Sequence, residues 1–351
     1  MFQQSLSNVS QLKGDAFVDL KNLHEIFIKF KEIGDIEVFE ELKHLKKIHL
    51  STENNYFLNK HVFDNLSNLE DLSLTNFTLE SRVINNLTRL KHLEILECSI
   101  GDPESIKFNS SLEYLTFDDN NIIELNLTTS LIQLENLKEL TMSGYAWGQF
   151  NPNVLKDLKK LESCFLSRNE IKTIANQFPY IENLITLDLT FNHIKTLNRM
   201  IFNNLLNIKY LQLGCNQFEN IQSGIFDSLK NLEELALNSN RLKKIERGLF
   251  SKLTNLKSLF LYENDLMELD CDVFENLNHL QTLSLENNKL TKLEHGLFFQ
   301  LGKLEFLNLK NNLLISFDTK CLVPLKNLRR LKISKHFFKF LNQIFKIKLC
   351  Y

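Results

Sequence analysis

The stretch LEELALNSNRLKKIERGLFSKLTN, residues 232–255, is a clear copy of a 24-residue unit that recurs along the chain. Each copy follows LxxLxLxxNxLxxLxxxxFxxLxx with few exceptions. Its first apolar residue recurs at the same step in six consecutive copies: Leu184, Ile208, Leu232, Leu256, Leu280 and Leu304. A fixed period of this length is typical of repeat proteins, in which stacked copies bury one continuous core.

Within each unit, leucines alternate with other residues in the manner of a strand. Leu235 and Leu237 alternate with Glu234, Ala236 and Asn238, which is the two-residue period of a strand with one buried side. We therefore predict one short parallel strand per unit, lying beside the strand of the unit before it. The predicted fold is an α/β-type solenoid, a horseshoe with a parallel concave β-sheet and a mostly irregular or short helical convex side.

An asparagine follows the strand at the same position of each regular unit. A chain that turns inside a coil leaves backbone groups buried, and an amide side chain can pair with them. We predict that these residues form a ladder that supports stability and not binding. Its members are Asn192, Asn216, Asn240, Asn264, Asn288 and Asn312.

A second column of large apolar residues lies six positions before the first apolar residue of each unit. We predict that its members stack in the core, which accounts for much of the count of 28 phenylalanines without any binding site. The members are Phe17, Phe39, Phe63, Ile84, Ile106, Leu131, Leu155, Phe178, Phe202, Phe226, Phe250, Phe274, Phe298 and Leu322.

The repeating unit resembles the typical class of leucine-rich repeats. That class occurs in the ectodomains of Toll and Toll-like receptors, in chaoptin-like adhesion proteins and in secreted arthropod leucine-rich immune proteins. The resemblance covers about residues 9–335. It implies the horseshoe fold and a module that recognises a protein ligand or a receptor partner, with homo- or heterodimer formation as a further possibility.

We predict a single solenoid over residues 1–351, with about fourteen units and regular repeats over 184–327. Residues 328–351 read as a degenerate last repeat followed by a basic C-terminal end, where His336 stands at the ladder position. Met1 falls inside a repeat, so we expect the chain to be a fragment; a natural start is the alternative. Two irregularities lie in one earlier unit, where Tyr145 replaces the ladder asparagine and Trp147 falls at a core position.

The charge of the chain is uneven although its total is small. The net charge is −2, which argues against general binding of nucleic acid. Residues 319–351 hold nine Lys/Arg and no Asp/Glu, which leaves −11 on residues 1–318. The basic end is either a solvated terminal face or a contact for an acidic partner or a membrane surface.

The sequence features that bear on cellular location allow either an extracellular or a cytoplasmic protein. The six cysteines form no CxxC pair, and an even count alone is weak evidence for disulfides. The sequence has no N-terminal signal segment and no apolar run of about 18 residues that would span a membrane. We expect an extracellular or cell-surface location if the true chain carries a signal peptide, and a cytoplasmic one otherwise.

No motif for catalysis or for a cofactor occurs in the sequence. GxGxxG, GxxxxGK[ST], HExxH, GxSxG and the EF-hand loop are all absent. We therefore predict neither an enzyme nor a cofactor or metal site.

The sequence contains six glycosylation sequons of the form Asn-x-Ser/Thr. They lie at Asn8, Asn65, Asn76, Asn86, Asn109 and Asn126, all before residue 130. Asparagine is abundant in this chain, so the count decides little. If the protein is exported, glycans would cover part of the N-terminal half and leave the C-terminal half bare.

The outward strand positions of the C-terminal half form the candidate binding surface. Aromatic rings among charges, as here, are typical of the residues that dominate binding energy in protein interfaces; the alternative is scattered surface apolar residues, which are normal. The candidate residues are Tyr210, Glu234, Phe260, Tyr262, Glu263, Glu286, Phe306 and Lys310, with Ser284 and Asn308 in the same rows. The predicted function is recognition within an extracellular receptor, immune or adhesion protein; the alternative is an intracellular scaffold or adaptor.

Overall fold

A computed structural model describes residues 5–9, 17, 19–31, 39, 41–100, 102, 106–120, 131–315 and 319–334. The chain forms two compact units. The N-terminal unit comprises Met1–Ala146 and Val154–Phe165, and the C-terminal unit comprises Trp147–Asn153 and Leu166–Tyr351. The assignment of the whole chain to a single domain stays a prediction.

The N-terminal unit is built on a parallel sheet in which the strands follow one another in chain order. The strands are β1 (Ser5–Val9), β2 (Glu25–Phe30), β3 (Lys47–Leu58), β4 (Asp71–Leu79), β5 (His92–Leu96), β7 (Tyr114–Asp118), β8 (Glu139–Ser143) and β10 (Ser163–Phe165). Each strand pairs in parallel with the next of this series. The two-residue strand β6 (Ser99–Ile100) pairs with the end of β4.

The C-terminal unit repeats this arrangement with shorter strands. Its main strands are β12 (Thr186–Asp188), β13 (Tyr210–Gln212), β14 (Glu234–Ala236), β15 (Ser258–Phe260), β16 (Thr282–Ser284), β17 (Phe306–Asn308) and β18 (Arg330–Lys332). Successive strands pair in parallel with a register of 24 residues throughout. A second small sheet joins β9 (Gln149–Phe150) to β11 (Thr173–Ile174).

The turns on the other side of each coil contain no α-helix in the described residues. Short 3₁₀ helices occur there, including Pro152–Leu155 and Thr319–Leu322. In the part of the chain that the structure describes, a strand begins two residues after each first apolar residue from Leu23 to Leu328. The predicted fold class, a solenoid of parallel strands with a mostly irregular opposite side, is therefore confirmed.

The core consists of the leucines of the strands and of the predicted aromatic column. Leu235 and Leu237 are both 0% exposed, and every member of the column is buried. Neighbouring rings of the column stack, with centroids 6.1 Å apart for Phe178 with Phe202 and 6.3 Å apart for Phe274 with Phe298. Because no single coil can enclose its own column residue, the core exists only between stacked coils.

The ladder asparagines of the C-terminal unit bond to the backbone of their own coil and of the coil before it. The Asn240 amide donates to the carbonyl oxygens of Leu213, Leu237 and Asn238, each at 3.1 Å. Its Oδ1 accepts the N–H of Phe218, also at 3.1 Å. The amide thus uses both its donor and its acceptor on buried backbone groups, as the asparagines one coil before and after it also do.

A cysteine takes the ladder position in one coil of the N-terminal unit. The Cys98 sulfur accepts the N–H of Phe77 at 3.3 Å and donates to the carbonyl oxygen of Leu96 at 3.2 Å. Burial raises the pKa of the Cys98 thiol to about 11, so the side chain is neutral at pH 7. A thiol therefore replaces the asparagine here.

Tyrosine takes the ladder position in another coil. The Tyr145 hydroxyl donates to the carbonyl oxygen of Phe117 at 3.1 Å and accepts the Asn120 amide at 3.3 Å. The prediction of a core position for Trp147 is wrong. That side chain is half-buried and its ring stacks on Phe150, with centroids 5.8 Å apart; the indole therefore covers the core residue and does not enter the core.

A second series of asparagines, which the sequence analysis missed, fastens the coils at their surface. The amides of Asn207, Asn231 and Asn255 donate to carbonyl oxygens one coil back at 2.8, 2.9 and 2.9 Å. Asn327 does the same at 2.6 Å. The sequence contains a signal for this series, because asparagine recurs at a 24-residue step directly before the first apolar residue of several units.

The residue before each ladder position has a left-handed backbone, and it is not glycine in the C-terminal unit. At these positions φ lies between 52° and 54°: Phe191, Cys215, Ser239, Glu263, Asn287 and Asn311. This conformation turns the N–H toward the next coil, so Cys215 donates to the carbonyl oxygen of Asn238 at 2.9 Å. For side chains other than glycine, asparagine or aspartate it costs about 1–2 kcal/mol.

Replacing Cys215 by asparagine is expected to stabilise the protein. Asn287 and Asn311 already occupy the equivalent position in two coils, and asparagine tolerates positive φ better than cysteine does. We expect Cys215→Asn to raise the free energy of unfolding by about 0.5–1 kcal/mol in urea denaturation. Cys215→Ala, which removes the thiol without favouring this conformation, should give no gain; an equal gain in both variants would contradict the prediction.

Candidate functional site

The candidate residues occupy the solvent side of the sheet in the C-terminal unit, and we call this surface the sheet face. The register places Phe260, Ser284 and Asn308 side by side in one row. Tyr210, Glu234 and Ser258 start the row beside it, which continues through Thr282 to Phe306. The predicted alignment of the strands is therefore observed.

Burial of these residues differs from the sequence-based expectation. Among the four aromatic residues, only Tyr210 is exposed, at 38%, whereas Phe260, Tyr262 and Phe306 are half-buried. Ser284 and Asn308 were expected to face outward, but they are buried at 5% and 3% exposure. The reason is size, because short side chains in the middle of a strand row are covered by the longer residues beside them.

Phe260 and Tyr262 form a pair of rings at the centre of the sheet face. They project from neighbouring outward positions, with centroids 6.4 Å apart and planes at 78°, an edge-to-face contact. Burial raises the pKa of the Tyr262 hydroxyl, and the nearby carboxylate of Glu263 adds to this. The hydroxyl therefore stays protonated at neutral pH and is available as a hydrogen-bond donor.

Three carboxylates surround the ring pair. The Glu234 carboxylate accepts the Gln212 amide at 2.7 Å, and the Glu263 carboxylate accepts the Ser239 hydroxyl at 2.6 Å. Glu286 accepts the amide of Asn308. Among the described residues no Lys, Arg or His lies within 4.0 Å of these three carboxylates, so their charges are held in place but not neutralised.

The other end of the sheet face is basic. Arg330 and Lys332 on β18 approach the ring of Phe306, with the guanidinium carbon and the ammonium nitrogen 5.8 and 5.7 Å from its centroid. Lys310 is exposed just after the end of β17. Within the described residues no carboxylate pairs with these three cations, whereas the neighbouring Arg329 pairs with Glu305 at 3.2 Å.

The sequence analysis missed Arg330 and Lys332 as members of this surface. Counting 24 residues on from Phe306 and Asn308 would have placed them in the same rows, as the register now does. The sequence pattern places them in the basic end of the chain instead, because the repeat fades there. Residues 335–351, the rest of that basic end, and His336 with them, lie outside the described residues.

The sequons of the N-terminal unit fall into two groups. Asn65 and Asn86 are exposed, whereas Asn76 and Asn109 are half-buried. Asn8 lies on β1, and its side chain is outside the description; Asn126 lies outside the described residues. All four described sequons are in the unit that does not carry the sheet face.

In the part of the chain that the structure describes, no group of three or more His, Cys, Asp or Glu side chains is placed to hold a metal ion. Three cysteines in that part are free: Cys98, Cys215 and Cys271. None of the described helices combines the length and the apolar character needed to cross a bilayer.

Comparison with known families identifies the repeat. The family described as "Leucine rich repeat" matches residues 182–242, 230–290 and 278–337. The family described as "BspA type Leucine rich repeat region (6 copies)" matches residues 3–113. Together the two matches cover most of the chain and both of its units.

Comparison with individual proteins gives relatives of the same kind. Toll-like receptor 4 from Sus scrofa is 32% identical over 160 residues, which cover 43% of this chain and 18% of that receptor. This chain therefore spans less than a fifth of the length of that relative.

Solved structures repeat the same architecture. A leucine-rich repeat protein of Leptospira interrogans superposes with a TM-score of 0.71 at 26% identity, covering 98% of this chain and 93% of that one. A chain of the glycosylated Toll–Spatzle complex from Drosophila gives 0.76 at 20% identity, covering 98% and 51%. The second likeness concerns the fold alone.

Proposed function

Because the chain is a leucine-rich repeat protein that resembles Toll-like receptor ectodomains, we propose that it binds a protein partner through the sheet face. In this proposal the chain is the recognition part of an extracellular receptor, immune or adhesion protein, and it performs no catalysis. The solenoid positions the face, and the partner docks across strands β13–β18.

The observation that carries this proposal is the ring pair of Phe260 and Tyr262 among charged side chains that form no ion pair within the described residues. A half-buried aromatic ring on a polar sheet is a rigid anchor that loses little conformational entropy when a partner covers it. The carboxylates of Glu234, Glu263 and Glu286 are not ion-paired within the described residues, so a cationic partner gains attraction without breaking an existing salt bridge.

The distribution of charge also fits a particular partner chemistry. The acidic residues lie around β14–β16, and the cations Lys310, Arg330 and Lys332 lie around β17 and β18. A partner segment that crosses the strands would place Lys or Arg over the first group and Asp or Glu over the second. Such an arrangement favours one orientation of the partner and speeds its association at low salt.

The partner can be captured with a photo-cross-linking amino acid placed on the face. Thr282 is half-buried and lies between Ser258 and Phe306 in its row, so a cross-linker there should trap the partner from the extracellular fluid of the source organism. The same cross-linker at Lys252, an exposed position on a turn, serves as the control and should trap nothing in common with it.

The double substitution Phe260→Ala with Tyr262→Ala should weaken binding of the captured partner at least about thirtyfold. Loss of a true anchor typically costs 2 kcal/mol or more, which corresponds to that factor. Affinity would be measured by surface plasmon resonance against the wild type. Phe299→Ala, at a turn site that is 75% exposed and belongs to no strand, should leave affinity unchanged. Equal affinity of the double variant and the wild type would place the partner elsewhere.

An intracellular scaffold that uses the same face is the second candidate function. The free cysteines Cys98, Cys215 and Cys271 favour it, because exported proteins commonly pair such residues. Cys271 is exposed and therefore the most open of the three to oxidation. Localisation of the tagged protein from its complete gene would separate the two candidates, since only the extracellular one requires export.

A further inference from the structure

The sequons of the N-terminal unit occupy three different positions of the repeat. Asn65 and Asn86 both stand two residues after a member of the core column, Phe63 and Ile84. Asn109 stands three residues after its column member, and Asn76 lies inside β4, at the point where its pairing with β3 shifts register. A shared sequence motif is therefore presented in three structural settings, which need not accept the same modification.

Asn65 and Asn86 present their amides to solvent. Both side chains are exposed, and each is followed by a buried leucine that fixes the turn. The Asn65 side chain makes no hydrogen bond within the described residues, and the Asn86 amide donates only to the exposed carboxylate of Asp64, at 2.8 Å. A substituent on either nitrogen would extend into solvent without displacing a backbone contact.

Asn109 stands where other coils place a buried leucine. The equivalent residues are Leu66 and Leu87, each 1% exposed. The Asn109 amide donates to the carbonyl oxygen of Leu87 at 2.7 Å, and its Oδ1 accepts the backbone N–H of Ser111 at 2.9 Å. A sugar on this nitrogen would have to occupy the inner side of the coil.

Asn76 has a left-handed backbone inside β4, at the irregularity in the pairing of that strand with β3. Its φ is 65°, a conformation that asparagine tolerates well. The half-buried amide donates to the carbonyl oxygen of Thr52 in the preceding coil at 2.9 Å. This asparagine is therefore accounted for by backbone conformation and by coil stacking.

We infer that N-linked glycans in the folded protein attach at Asn65 and Asn86 and not at Asn76 or Asn109. This inference rests on the proposed extracellular function. The donor is an oligosaccharide linked to a lipid diphosphate. The bond from the first sugar carbon to the phosphate oxygen breaks, that carbon bonds to Nδ2, the amide loses one proton, and the lipid diphosphate leaves. Chains modified at Asn109 before folding would fail to close that coil.

The assignment is tested on the chain secreted from insect cells behind a cleavable signal peptide. Enzymatic removal of the glycans in heavy-oxygen water converts each occupied asparagine into a labelled aspartate, which peptide mass spectrometry locates. We expect label at Asn65 and Asn86 and none at Asn76 and Asn109. Label at Asn76 or Asn109 to the same extent, or absence of label at Asn65 and Asn86, would overturn the inference.

Two designed sequons in the C-terminal unit provide matched controls. Lys252→Asn creates a sequon with Thr254 at an exposed position equivalent to Asn65, two residues after Phe250. Lys289→Thr creates one at Asn287, a left-handed position equivalent to Asn76, with φ of 54°. The first variant should gain one glycan and migrate more slowly in gels, and the second should migrate like the wild type.

A glycan gained by both designed variants, or only by Lys289→Thr, would overturn the inference, because position in the coil would then not decide acceptance. Failure here is distinguishable from failure of the proposed function. Glycan mapping requires no partner, and the affinity of the double variant Phe260→Ala with Tyr262→Ala can be measured on protein freed of glycans.

Discussion

Phe250→Ala is expected to lower the free energy of unfolding by about 3–5 kcal/mol, a loss typical of deleting a buried aromatic ring. Phe250 is 0% exposed and belongs to the column whose neighbouring members stack ring on ring. Removing its ring leaves a void between two coils that cannot collapse, because the strands on either side are fixed by their pairing to both neighbours.

The measurement is urea denaturation followed by circular dichroism, with Phe299→Ala as the matched control. Phe299 directly follows the column residue Phe298, but it is 75% exposed. Its removal should change stability by less than about 0.5 kcal/mol, as is usual for surface substitutions. Equal losses in the two variants would contradict the assignment of the column to the core.

Asn240→Ala is expected to lower the free energy of unfolding by about 3 kcal/mol or more. The substitution leaves the N–H of Phe218 and the carbonyl oxygens that Asn240 serves without this partner inside the coil. An unpaired buried polar group costs about 1–3 kcal/mol, and at least two groups are affected. The loss should appear in denaturation and not in the affinity of the surviving folded protein for its partner, because the amide faces the interior of the coil.

Two further variants test separate contributions to stability. One distinguishes the donor from the acceptor of the Asn240 amide, and the other compares this buried amide with the surface amide of Asn231. Asn240→Asp keeps an oxygen for the Phe218 N–H but cannot donate to the carbonyl oxygens, so it should be nearly as unstable as the alanine variant. Asn231→Ala removes one surface bond to the carbonyl oxygen of Leu206 and should cost less than about 1 kcal/mol. Normal denaturation of Asn240→Ala with reduced affinity would show that the side chain faces the partner.

The sequence predicts the fold because each coil repeats the same local signals. The step between Leu232 and Leu256 sets both the strand spacing and the register, and the buried positions follow from the alternation around Leu235. No long-range inference is needed, since every coil contacts the coils beside it. The same spacing marks Cys98 as the ladder residue of its unit, because it follows Leu90 by as many residues as Asn240 follows Leu232, even though a thiol replaces the amide there.

Features that depend on side-chain size or backbone conformation were not predictable in this way. The left-handed backbone at Glu263 carries no composition signal, because the position holds Phe, Cys, Ser, Glu and Asn in different coils. The burial of Ser284 depends on the length of the residues beside it. The two cations near Phe306 were overlooked because the repeat pattern weakens at β18, where the register still holds.

The paired asparagine series have a consequence for how such a gene can change length. In the C-terminal unit, the inner amide of Asn240 and the outer amide of Asn231 both reach back to the coil just before their own. The ladder asparagine recurs at each 24-residue step from Asn192 to Asn312, and the outer asparagine recurs at several of the steps: Asn207, Asn231, Asn255 and Asn327. Unequal recombination that deletes or duplicates a single 24-residue copy would therefore recreate an ordinary boundary at the junction. The number of repeats can therefore change in evolution while each remaining coil keeps its contacts with its neighbours. New binding surfaces can arise in this way without a change in the packing of the core.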